Sequence, residues 1–152
     1  MSYFNEQKHM GILFRDINNT IVTLLNKDLE QYGITLMQNE ILTYIYFYAE
    51  KQNINQKDIE RFFNSTNPTI TGILNRLQAK GLIIRRPSIE DARYKIIELT
   101  EKGKNIVIES HTMKVNKMEQ RIVENLSNEE EKELKRLLGK VLKGLKDEKV
   151  MK

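Results

Sequence analysis

A mainly helical fold carrying one small β-hairpin is predicted by three features of this 152-residue chain. Apolar residues recur every three or four positions over long stretches, the period of an amphipathic helix. Proline, which interrupts helices, occurs only at Pro68 and Pro87. One region, Leu82 to Leu99, switches to two β-branched runs parted by a polar loop, the pattern of a hairpin.

The first helix is expected from about Met10 to Gln31. Its stripe is Ile12, Leu13, Ile17, Ile21, Leu24, Leu25 and Leu29, and Gly33 is its C-terminal cap. The second begins at Thr35, and Gln38 three residues on completes a capping box. Its buried residues should be Met37, Ile41, Leu42, Ile45, Tyr48 and Ala49, with fraying near Lys51. Asn55 caps a short third helix; Asp58 lies in the first turn, where a carboxylate suits the helix dipole, and Ile59, Phe62 and Phe63 form the apolar face.

A fourth helix follows Asn64-Ser65-Thr66, capped by Thr66 or Asn67, with Pro68 in its first turn and Gly81 at its end. The strands are Leu82 to Arg86 and Tyr94 to Leu99, joined by Pro87 to Arg93. Thr100 caps a fifth helix reaching about Asn125. Ser127 and Glu130 form a capping box for a sixth, whose stripe is Leu134, Leu137, Leu138, Val141, Leu142 and Leu145.

The order is four helices, a hairpin and two more helices; the second to fourth helices and the hairpin make a winged helix-turn-helix, here residues 35–100, flanked by helical segments 1–34 and 101–152 within a single domain of residues 1–152. A winged helix is complete without those flanks. Their apolar stripes must therefore be covered by each other or by a second copy of the chain, which predicts a homodimer.

Composition removes several classes of function. Cysteine is absent, so disulfides, thiol chemistry and cysteine-based zinc sites are excluded. The two histidines, His9 and His111, are far apart, so no metal centre is expected. Neither a phosphate-binding loop, a dinucleotide glycine motif, HExxH nor a nucleophile–base pair is present, so no catalytic residue and no cofactor is predicted. Glu130-Glu131 reads as dipole-favouring charge at a helix start. No apolar run reaches the ~18–20 residues of a membrane span, and Met1 to Glu6 lacks the basic start and apolar core of a signal peptide. A cytoplasmic location without a membrane partner is expected.

The formal charge is +4. Its distribution is more informative. From Asn67 to Lys95 the bases Arg76, Lys80, Arg85, Arg86, Arg93 and Lys95 face only Glu90 and Asp91, a local net of +4, whereas the first 34 residues are slightly acidic. This permits an anionic partner.

In a helix-turn-helix the second helix of the pair enters the major groove. On the fourth helix, a rotation of ~100° per residue gathers Ile70, Ile73, Leu74 and Leu77 on one side. The other side carries Pro68, Thr71, Gly72, Asn75, Arg76 and Ala79, flanked by Thr69, with Thr66 and Asn67 at the helix start. No acid lies between Asn64 and Lys80. Hydroxyls and amides bond phosphates or base edges, arginine pairs with guanine, and glutamate would be repelled there. Gly72 costs ~1 kcal/mol of helix propensity. Either it admits the DNA backbone or it packs against a neighbouring side chain. In the hairpin loop Arg86 and Arg93 are candidates for minor-groove or phosphate contacts. Asp91 is a candidate brace for Arg93; the other reading is a solvated turn with incidental charges.

The run Thr66-Asn67-Pro68-Thr69-Ile70-Thr71-Gly72-Ile73-Leu74-Asn75-Arg76-Leu77-Gln78-Ala79-Lys80-Gly81-Leu82-Ile83 resembles the recognition helix and first wing strand of the MarR family of bacterial regulators. Asp91-Ala92-Arg93 and Leu99-Thr100-Glu101-Lys102-Gly103 resemble that family's wing signature and the start of its next helix. The resemblance implies a dimer joined through the first, fifth and sixth helices. It also implies Arg93 as the wing arginine, Asp91 as its brace, and a small-molecule pocket between the dimerisation helices and the DNA-binding lobe. The wing Ser88-Ile89-Glu90-Asp91-Ala92 is less basic than the family pattern, which shifts weight to the fourth helix.

The expected function is thus a sequence-specific regulator of transcription on double-stranded DNA with a pseudo-palindromic operator, a repressor released by an effector. The aromatic run Tyr44-Ile45-Tyr46-Phe47-Tyr48 places Tyr44 and Tyr48 as candidate lining of a pocket for an aromatic or phenolic effector, facing the first and fifth helices; ordinary core packing is the alternative. The competing function is a winged-helix adaptor that binds protein without reading DNA, against which the acid-free face of the fourth helix argues.

Overall fold

A computed structural model of the chain describes residues 9–150. The reading of the start from Met1 to Glu6 lies outside the described residues. The chain divides into two compact units, Met1–Lys114 and Val115–Lys152.

The first unit opens with α1, Met10–Leu29, continued by a 3-10 turn, Glu30–Tyr32, and closed at Gly33 with φ +66°. That left-handed conformation is the reason a glycine stands there. Next come α2, Leu36–Tyr48, and α3, Gln56–Phe63. Both carry reciprocal capping boxes, Thr35 with Gln38 and Asn55 with Asp58. The turn to α4, Asn67–Ala79, passes through Asn64 at φ 47°. Ser65 N–H donates to the Glu60 carbonyl at 3.0 Å, closing the end of α3. Thr66 is the N-cap of α4 by backbone geometry, and its hydroxyl lies 3.0 Å from that of Thr69 rather than on a backbone N–H. Gly81, φ +69°, ends the helix.

Strands β1, Ile83–Pro87, and β2, Lys95–Leu99, pair antiparallel with Ile83 opposite Leu99 and Arg85 opposite Ile97. The first is shifted one residue later than the sequence expectation, and the second starts one residue later and ends, as expected, at Leu99. Ile97 N–H also donates to the Ile54 carbonyl at 2.8 Å, fixing the α2–α3 connection to the hairpin. The core under these elements holds Ile41, Leu42, Ile45, Ile54, Ile59, Ile70, Leu74, Leu77, Leu82, Ile83 and Ile97, all essentially inaccessible to solvent.

The helix α5, Glu101–Met113, packs on α2. Thr100 starts it: its hydroxyl accepts from Gly103 N–H at 3.1 Å and donates to the Gly81 carbonyl at 2.7 Å. Ile106 and Val107 are buried, so the stripe of this helix is largely covered within its own chain. Asn39 and Ser110 meet across the α2–α5 packing at 2.7 Å, both wholly buried.

Four expectations are corrected. Tyr48 and Ala49 are exposed, because α2 reaches its last turn beyond the core that buries Ile41 and Ile45. Phe62 is also exposed, and only Ile59 of its face is fully buried, since α3 is a short helix of eight residues and Phe62 lies in its last turn. The fifth helix is not one α-helix to Asn125. It passes into a π-helical stretch, Lys114–Met118, and a short α6, Glu119–Val123. The wider π turn takes up an extra residue and rotates the side chains that follow. Tyr44 and Tyr48 face α3 rather than α1 and α5: the Tyr44 ring centroid is 4.7 Å from that of Tyr48 and 4.5 Å from that of Phe62.

The second unit contains α6 and α7, Asn128–Val150. Ser127 and Glu130 form the capping box that starts α7, at 3.2 and 2.8 Å. Lys135 joins Glu131 within α7 and Glu119 of α6. The stripe Leu134, Leu137, Leu138, Val141, Leu142 and Leu145 stays 37–60% exposed in the single chain. No helix among the described residues is long and apolar enough to cross a membrane.

Candidate nucleic-acid interface

The helix α4 is anchored by Ile70, Leu74 and Leu77, each fully buried, with Ile73 packed beside them. That anchoring fixes which side looks outward. Pro68, Asn75, Arg76 and Ala79 are exposed and Thr71 and Gly72 half-buried, the face that the sequence marks out. A Cβ at Gly72 would meet no atom within 4 Å. Packing against a neighbour therefore does not account for this glycine, and open space lies over it.

The polar groups of that face are already organised. Gln56 of α3 donates to the Thr71 hydroxyl at 2.7 Å and to Glu60 at 3.0 Å. Asn67 donates its amide to the same Glu60 carboxylate at 2.8 Å. An acid thus does reach the start of α4, from the preceding helix, although none lies within α4 itself. Sequence spacing along α4 alone could not show it.

The bases divide by their partners. Lys80 donates to the Gly33 carbonyl and to Gln38 Oε1, tying the end of α4 to the start of α2. Arg86 grips Glu98 across the hairpin, with Nη2 and Nε at 2.7 and 3.0 Å from Oε1, and that hydrogen bond holds its guanidinium more firmly protonated than usual. The guanidinium of Arg85 points to the other side, donating Nε to Gln78 Oε1 at 2.5 Å and Nη2 to Asn75 Oδ1 at 2.6 Å. Arg76 has no side-chain partner among the described residues.

At the hairpin tip, Arg93 and Asp91 form a forked pair, Nη2–Oδ2 2.7 Å and Nε–Oδ1 3.0 Å, and the Arg93 N–H also donates to Oδ1 at 3.0 Å. These bonds hold the Asp91 carboxyl below its ordinary range. Arg93 remains 85% exposed even so. The structure thus brings Asn67, Thr69, Thr71, Gly72, Asn75 and Arg76 together on α4, with Thr66 at its N-cap and Arg93 and its brace on the hairpin. It sets Arg86 apart on Glu98.

Sequence reasoning missed Arg85, Gln56, Glu60 and Lys80. For Arg85 the signal existed: consecutive residues of a strand point to opposite faces, so Arg85 and Arg86 cannot share one role.

A cavity of about 250 Å³ lies beside α2 and α3, lined by Tyr44, Phe47, Tyr48, Phe62, Phe63 and Lys114. Burial lifts the Tyr44 phenol above its ordinary range, with Asp58 adding to the effect. Burial also lowers the Lys114 ammonium, opposed by nearby Glu40.

A recognition helix seated on a two-helix scaffold, with a hairpin beside it carrying a braced arginine, defines a winged helix-turn-helix regulator of transcription. The sequence matches the family described as transcriptional regulator SarA/Rot over residues 23–110. It is 30% identical over 139 residues to the multiple antibiotic resistance protein MarR of Escherichia coli, covering 91% of this chain and 94% of that one. The fold is similar to that of MepR, a transcription regulator of the Staphylococcus aureus multidrug efflux pump MepA, with TM-score 0.80, 33% identity and 91% and 99% of the two chains covered. A MepR–DNA complex is similar with TM-score 0.74 at the same identity and coverage. The chain belongs to the MarR family of DNA-binding winged helix-turn-helix transcription regulators.

Proposed function

We propose that this protein represses transcription as a homodimer that reads a pseudo-palindromic operator and is released by a small aromatic or phenolic effector. The observation carrying the DNA reading is the outward face of α4: an unpaired Arg76 beside Asn75, Thr71 and an open Gly72, on a helix held by three buried residues. Arginine pairs with guanine O6 and N7, and the open glycine gives the sugar–phosphate backbone room to approach. Thr66, Asn67 and Thr69 meet phosphates at the helix start, where free N–H groups add to the attraction. Arg93, held by Asp91, reaches the flanking groove, while Arg86 takes part only after leaving Glu98. The crystallised MepR–DNA complex of a 33% identical relative supports the same use of this fold.

Residues 35–100 form the reading lobe, and 1–34 with 101–152 form the dimerisation segments. What supports the dimer is the exposed stripe of α7 together with Ile17 and Phe14 of α1. Exposed apolar stripes of this kind favour burial against a partner surface. Two copies related by a two-fold axis present their recognition helices ~34 Å apart, one turn of DNA. The effector reading rests on the aromatic cavity at Tyr44 and Tyr48, and release follows if the ligand favours a dimer with the wrong helix spacing.

Selection of bound sequences from a random duplex pool, with and without phenolic compounds, tests this. The expected result is a two-fold symmetric consensus lost with an active compound. Enrichment of no sequence over the starting pool would leave the adaptor reading in its place.

A further inference from the structure

The strand residue Arg85 reaches the recognition helix. Its Nη2 donates to Asn75 Oδ1 at 2.6 Å, and its Nε donates to Gln78 Oε1 at 2.5 Å. A guanidinium has five N–H donors and no acceptor, so it fixes which end of each amide it meets. Asn75 must turn its oxygen toward Arg85 and its NH2 group away. That NH2 has no partner among the described residues, and Asn75 is exposed on the face opposite Leu74 and Leu77.

We infer that Arg85 is a positioning residue that sets base specificity by turning the Asn75 oxygen toward the hairpin and its NH2 group toward the base. This rests on the proposed use of α4 in DNA reading. An unconstrained asparagine recognises adenine with two bonds, accepting from N6 and donating to N7. With one lone pair of its oxygen engaged and that oxygen turned toward Arg85, Asn75 meets a base through its NH2 group, as a donor. The major-groove edges that offer acceptors without an adjacent donor are guanine, through O6 and N7, and thymine, through O4. The operator position under Asn75 therefore favours guanine or thymine, because at adenine the NH2 group meets N7 alone and Asn75 leaves N6–H unpaired. Gln78 is held in the same way one turn along the helix. Its oxygen is likewise turned toward Arg85.

The register of the hairpin explains why Arg85 and not Arg86 does this. Arg85 lies opposite Ile97 and Arg86 opposite Ile96, so the two guanidinium groups leave opposite faces of the sheet. Only the Arg85 face looks at α4.

The test uses the full-length protein on the operator obtained by selection, with every base substituted in turn and binding measured by competition. Wild type, Arg85→Met, Arg85→Lys, Asn75→Ala and the double variant Arg85→Met with Asn75→Ala are compared, and thermal unfolding confirms that each is folded. Wild type is expected to prefer guanine or thymine at one position of each half-site, a preference that Asn75→Ala flattens. Arg85→Met, which keeps the apolar stem but frees the amide oxygen, shifts that position toward adenine by about ten-fold, the size of one added base bond. Arg85→Lys, able to hold one oxygen, shifts it less. The double variant shows no shift. A purely structural role for Arg85 would weaken all sequences equally. The inference is overturned if Asn75→Ala changes no position, if wild type prefers adenine there, or if Arg85→Met leaves the base preference unchanged. Absence of any sequence preference in wild type would instead remove the DNA-reading proposal beneath it.

Discussion

Gly103 lies against Leu82: a Cβ at Gly103 would collide with the Leu82 carbonyl oxygen. That oxygen also accepts from Thr100 N–H at 3.1 Å, so the start of α5 is seated on the backbone just before β1. Lys102 adds a bond to the Lys80 carbonyl at 3.2 Å. The segment Leu99 to Gly103 is thus a docking joint between the hairpin and α5, and its glycine is required by close approach, not by backbone angle.

Gly103→Ala should therefore cost about 2 kcal/mol or more, because backbone rather than a movable side chain opposes the methyl group. Gly72→Ala should behave oppositely. It meets open space and gains up to ~1 kcal/mol of helix propensity, yet weakens DNA binding by crowding the approach of the backbone. Urea unfolding and operator binding measured on both variants check the pair. Equal destabilisation of the two would contradict this account.

Asn64 turns the chain between α3 and α4 at φ 47°. Replacement by alanine should cost about 1–2 kcal/mol, the left-handed penalty for an ordinary residue, while Asn64→Gly should be close to neutral. Equilibrium unfolding of both variants measures the difference.

Asp91 is expected to titrate below the usual carboxylate range, because Arg93 donates to it through side chain and backbone. Its folded value lies below the unfolded one, so the brace is complete above the ordinary carboxylate range and is lost as pH falls through the lowered value. Carbon-detected NMR should show the Asp91 carboxyl returning toward its ordinary range in Arg93→Met. In operator binding the same variant should reduce the salt-dependence slope by about one phosphate contact.

Much of this was legible along the chain. Capping boxes at Thr35 and Ser127 marked helix starts within a residue, because a cap is a local arrangement of three or four positions. The outward face of α4 followed from its period alone. What escaped were contacts across sequence distance. Arg85 with Asn75, Lys80 with Gly33 and Glu60 with Asn67 each depend on how separate elements pack. Aromatic residues misled for a related reason: Tyr48 and Phe62 continue the period of a buried stripe, but the stripe outruns the core. The π stretch at Lys114–Met118 carries no sequence mark that we can identify.

The exposed leucine stripe of α7 predicts self-association. In sedimentation at micromolar concentration the protein should have the mass of two chains, and Leu138→Glu with Leu142→Glu should yield one. A wild-type mass of a single chain would contradict the dimer.

The most direct measurement is operator affinity after Arg76→Ala. If Arg76 reads a base, as proposed, and does not merely attract phosphate, the loss is about 1–3 kcal/mol on the selected operator, with little change on random duplex. Unchanged discrimination between operator and random DNA in this variant would show that the outward side of α4 does not read the sequence.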